Sequence, residues 1–97
     1  MSPGVTMPSL SSCIAAYSSA LHDVDTFHDA VADHLHAAED YAAGGDVEGA
    51  AEHIDRARVL HEKLRVALEN KRLLGRALMA AGIQADAENR RLRAELQ

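Results

Sequence analysis

The stretch YAAGGDVEGA, Tyr41 to Ala50, decides the fold. Its Gly44-Gly45-Asp46 core interrupts two long periodic segments. A glycine takes the left-handed conformation needed just past a helix end. Asp46 suits the cap of a following helix, because its side-chain oxygen accepts from an exposed amide. Glu48, in the first turn, suits the positive end of the helix dipole. A connection this short folds the second helix back antiparallel on the first.

Working outward, Ile14, Tyr17, Leu21, Val24, His28, Val31, Leu35, Ala38 and Ala42 recur at alternating spacings of three and four. That is a heptad seam with His28 as its one polar member, and it predicts a helix over about residues 10–43. Downstream, Val47, Ala50, Ile54, Ala57, His61, Leu64, Leu68 and Lys71 form a second seam, widened by Leu60, Ala67 and Leu74. The second helix is expected over about 47–81, with Gly82 as its stop. The predicted fold class is all-α: an antiparallel hairpin of two long helices (10–81) with a short C-terminal helical appendage over 82–97. Residues 1–9, with two prolines and a glycine, read as a flexible N-terminal arm.

Composition agrees with a helical reading. The chain has 97 residues, 47% of them apolar, including nineteen Ala and eleven Leu against one Phe, two Tyr and no Trp. Ala and Leu favour helix, while the β-branched and aromatic residues that suit strands are scarce. The length allows one small domain. Cys13 stands alone, which rules out an internal disulfide framework and fits a reducing compartment. No apolar run is long enough to cross a membrane, and no signal peptide is evident at the start; a cytoplasmic location is expected.

Charge tests the hairpin independently of hydrophobic spacing. Residues 1–45 hold six acids and no Lys or Arg, whereas residues 56–76 hold seven bases and two acids. Folding back at the glycines lays the two blocks alongside each other. Each exposed pair is worth only about 0–1 kcal/mol, yet opposed blocks favour this pairing over others. Phe27, Tyr41, Leu60 and Leu74 would stay partly wet in an isolated hairpin, so self-association into a homodimer or docking on another helical protein is expected. The candidate partner-binding residues are Phe27, Val31, Leu35, Leu60, Leu64, Leu68 and Leu74.

Six histidines are many for this length. The hairpin register expected from the sequence sets His28 against His61 and His36 against His53, an arrangement suited to a pH-responsive interface. Charging all six would move the formal charge from −5 to +1. A metal-responsive bundle is the related alternative, although neither helix carries a His-x-x-x-His or Glu-x-x-His pattern. Arg90, Arg91 and Arg93, with Arg72 and Arg76, form the one candidate nucleic-acid surface, on an acidic chain without aromatic platforms. No phosphate loop is present. Cys13 and the serines lack a partnering base, so no enzyme activity, cofactor, metal or small-molecule substrate is expected.

Tyr41 to Leu60 resembles one tetratricopeptide repeat, with Tyr41, Ala50, Ile54 and Ala57 at matching spacing about a Gly-Asp turn and Ala38 as the small upstream residue. Where that family has its conserved tryptophan, leucine and terminal proline, this chain has His34, Ala37 and Glu62, and no second copy follows at a 34-residue period. The resemblance is one of helical-hairpin packing and implies peptide or helix binding by a small adaptor. In general build the chain is also similar to the small helical export chaperones of bacterial secretion systems. The expected function is therefore protein–protein interaction, as an adaptor, assembly or chaperone-like subunit.

Overall fold

The computed structural model describes residues 9–96. Two helices fill it: α1, Leu10–Ala43, and α2, Val47–Leu96. The expected N-terminal arm lies outside the described residues apart from Ser9. That residue caps α1, its hydroxyl oxygen accepting from the Ser12 amide at 3.1 Å.

The turn forms as its residues dictate. Gly45 sits at φ +83°, the one positive φ among the described residues. The Asp46 amide donates back to the Tyr41 carbonyl at 2.9 Å, and the Gly45 amide donates to Ala42 at 3.0 Å, so two end carbonyls of α1 are satisfied. Asp46 then starts α2 by accepting from the Gly49 amide at 2.9 Å. Gly49 is held to glycine by crowding: a Cβ there would lie 2.8 Å from the Tyr41 ring and 2.7 Å from the Asp46 carboxylate. One aspartate thus closes one helix and opens the next, which leaves the chain only an antiparallel return.

One expectation fails at Gly82. There is no stop and no separate C-terminal helix; α2 runs unbroken to Leu96. A glycine inside a helix costs only about 1 kcal/mol relative to alanine. The sequence beyond it is rich in Ala, Glu, Arg and Leu. Within that stretch Asp86 pairs with Arg90 at 3.1 Å and Glu88 with Arg91 at 3.4 Å. Such pairs one turn apart support the helix that carries them. At 50 residues against 34, α2 outruns α1 and projects past its start.

The seam is a heptad in both helices. On α1 it runs Cys13, Tyr17, Ala20, Val24, Phe27, Val31, His34 and Ala38; on α2 it runs Ala50, His53, Ala57, Leu60, Leu64, Ala67, Lys71, Leu74 and Leu78, all buried or half-buried. We call Tyr17, Ala50 and their seven-residue repeats position a, and Ala20, His53 and theirs position d. The Tyr17 ring against Gly75, Tyr41 against Gly49, and His34 and Tyr41 against His53 fix the register: residue numbers adding to about 91 lie level.

This corrects the expected seam. Its a positions stand, but Ile14, Leu21, His28 and Leu35, with Ile54, His61 and Leu68, lie one residue beyond d, at position e, and are exposed. Size explains the choice. In the observed register Tyr41 is level with Ala50, His53 with Ala38, His34 with Ala57, and Val24 with Ala67, so at these levels a large side chain meets a small one, while Phe27 meets Leu64 and Val31 meets Leu60 at mid-seam. The molecule measures 75 × 33 × 14 Å, one helix layer thick.

Candidate interaction face

Reversing one helix of a pair brings like flanks together, so the e positions of α1 and α2 share one side of the hairpin. Tyr17 leans to that side, its ring 3.4 Å from where a Gly75 Cβ would stand, and with Leu68, Gly75 and Met79 it lines a shallow groove. The opposite side carries Asp23, Phe27, Lys63 and Asn70 around a second groove. Ile14, Leu21, Leu35, Ile54 and Leu68 are 38–50% exposed, so the e side is a broken apolar band two helices wide.

Arginines rim this band along α2. Arg58, Arg65 and Arg72 each pair with the acid three residues earlier, Asp55 at 3.9 Å, Glu62 at 2.6 Å and Glu69. The Arg65 guanidinium, by hydrogen bond first and charge second, holds the Glu62 carboxyl below the usual carboxylate range; Arg72 does the same to Glu69. Arg72 lines the groove beside Leu68 with its charged head paired to Glu69.

The seven residues expected to bind a partner divide. Phe27, Val31, Leu60, Leu64 and Leu74 are used inside the hairpin, while Leu35 and Leu68 face outward. Ile14, Leu21 and Ile54, assigned by spacing to the internal seam, join them on the outside. Their seven-residue recurrence on both helices was the available signal. It read as a core seam because the a line beside it is apolar too.

The histidines also depart from expectation. His28 and His61 do not pair in the seam; both are exposed on the e side. His36 is exposed, its Nδ1 3.9 Å from the Glu39 carboxylate, and does not meet His53. His34 takes that place, its Nδ1 2.9 Å from the His53 Nδ1, with Tyr41 stacked on His53 at 5.2 Å. The reason is the seam shift: position d falls on residue 34, two positions short of 36 and on another helix face. One ring nitrogen donates and the other accepts across this contact.

Among the described residues no three His, Cys, Asp or Glu side chains gather as a metal cluster. Cys13 is buried in the seam. Arg90 and Arg91 are exposed on the projecting end of α2 and paired with acids of their own helix. No described helix is long and apolar enough to cross a membrane. No family matches the chain, no curated protein matches it in sequence and no solved structure matches its fold.

Proposed function

We propose that the chain is a small helical protein–protein interaction module, an adaptor, assembly or chaperone-like subunit, whose working surface is the e-side band of Ile14, Leu21, Leu35, Ile54 and Leu68. One observation carries this reading: five large apolar side chains line up on one side of a hairpin a single helix layer thick, and no second layer of the described chain covers them. Domains ordinarily close an apolar face with a second layer. Covering a half-exposed leucine gains about 1 kcal/mol, so a protein that supplies that layer gains affinity from each rung of the band. The role is non-catalytic, and the lone, buried thiol of Cys13 supports a reducing, cytoplasmic setting.

A photo-reactive residue placed at Leu35 or Leu68, with Asp29 as an outward control, tests this in the native host. Discrete protein adducts of defined mass are expected from Leu35 and Leu68 and not from Asp29. Equal yields from all three positions, or none from any, would overturn the assignment.

A further inference from the structure

Resting on that reading, we infer that the occupant of the e side is a second copy of this chain, laid face to face so that α1 of each hairpin lies on α2 of the other. The band is built in rungs. On the e side Leu35 is nearly level with Ile54, His28 with His61, and Leu21 with Leu68, since each pair lies within two residues of the register set by the seam. The face therefore presents an apolar rung, an imidazole rung and an apolar rung, in that order.

A two-fold axis in the contact plane and parallel to the helices keeps every residue at its own level while exchanging left and right. Leu35 then meets Ile54 of the second copy, Leu21 meets its Leu68, and His28 meets its His61. Apolar rungs close on apolar rungs and imidazoles on imidazoles. A slip of one rung would set an imidazole on leucine. A self-complementary patch of this kind is what an isologous dimer requires.

A two-fold axis across the helices also superposes the rungs, with Leu35 against Leu21, and charge decides between the two. Helix α1 carries six acids and no Lys or Arg, while residues 56–76 of α2 carry seven bases and two acids. The axis parallel to the helices lays the acidic helix α1 on that basic stretch of α2, and sets Asp25 level with Arg65 of the second copy at the rim. The crosswise axis lays acid on acid and base on base. Complementary blocks fix orientation and suppress the like-charged pairing.

Disulfide trapping in a Cys13→Ala background, which keeps that seam position small and apolar, tests the arrangement with thiols at exposed positions outside the seam. A Leu35→Cys chain mixed with a mass-tagged Ile54→Cys chain is expected to form mixed disulfides about tenfold faster than Leu35→Cys with Asp29→Cys, because the dimer raises the effective concentration of one thiol pair alone. Faster trapping of Leu35→Cys with Leu21→Cys would overturn the parallel axis, leaving the interaction reading in place. Sedimentation of the unaltered chain as a monomer at near-millimolar concentration would overturn the second copy. Adducts with a different protein at Leu35 in the photo-reactive experiment would still uphold the interaction reading.

Discussion

Leu64→Ala is expected to lower the unfolding free energy of the hairpin by about 3 kcal/mol, the middle of the range for truncating a buried leucine. Among the described residues the buried set is Cys13, Ala20, Ala38, Ala50, Ala57, Leu64 and Ala67, so Leu64 is its one large side chain. It lies level with Phe27, the one phenylalanine of the chain, at the middle of the seam. A hairpin one layer thick has no neighbours in reserve to collapse into the space. Small domains are stable by only about 5–15 kcal/mol, so this single change removes a large share. Urea unfolding followed by circular dichroism reads it as a lower midpoint at nearly unchanged slope. Leu73→Ala, at a position 51% exposed on the same helix, is the control and should shift the midpoint little. Equal shifts in the two variants would mean that Leu64 is not the keystone of the seam.

Leu21→Ser/Leu35→Ser/Leu68→Ser is expected to abolish association while leaving the hairpin folded. Each leucine is close to half exposed in the single chain, so covering it contributes about 1 kcal/mol and a symmetric pair covers six. With allowance for imperfect burial, the dissociation constant should rise at least about a hundredfold, since about 1.4 kcal/mol corresponds to a factor of ten. The hairpin itself should lose about 1 kcal/mol at each site, for the half of the side chain already covered in the single chain, and stay folded because the a/d seam is untouched. Sedimentation equilibrium gives the first quantity and thermal melting of the monomer the second. Association that survives the triple substitution would move the working surface away from the e side, and the Phe27 groove on the opposite side would be the next place to look.

Both expectations turn on a distinction of one residue in every heptad. The sequence carries two apolar lines flanking position a on α1: Cys13, Ala20, Phe27 and His34 on one side, Ile14, Leu21, His28 and Leu35 on the other. Ranked by hydrophobicity alone, the second line belongs inside. The fold puts the first inside, because close approach of two helices rewards small residues facing large ones more than it rewards the greasiest stripe. The same step left His28 and His61 exposed, put His34 in place of His36 against His53, and sent Leu35 and Leu68 to the surface while Leu64 stayed within. Of the seven residues expected from the sequence to bind a partner, Leu35 and Leu68 lie on the candidate face, and its other members, Ile14, Leu21 and Ile54, are those the spacing assigns to the internal seam.

By itself the sequence determined the turn and the helices that leave it. Gly45, Asp46 and Glu48 act within a few residues of one another, and backbone geometry and capping need nothing from elsewhere in the chain. The start of α1 near residue 10, its end at Ala43 and the start of α2 at Val47 follow from such local terms. Tertiary structure alone decided which stripe of each helix is buried, since that choice depends on the sizes of side chains from both helices at every level of the seam at once. Gly82 is passed through for local reasons as well, the helix-forming residues and same-helix ion pairs beyond it outweighing the modest penalty of one glycine. A turn is a property of a few neighbouring residues; a seam is a property of two helices together.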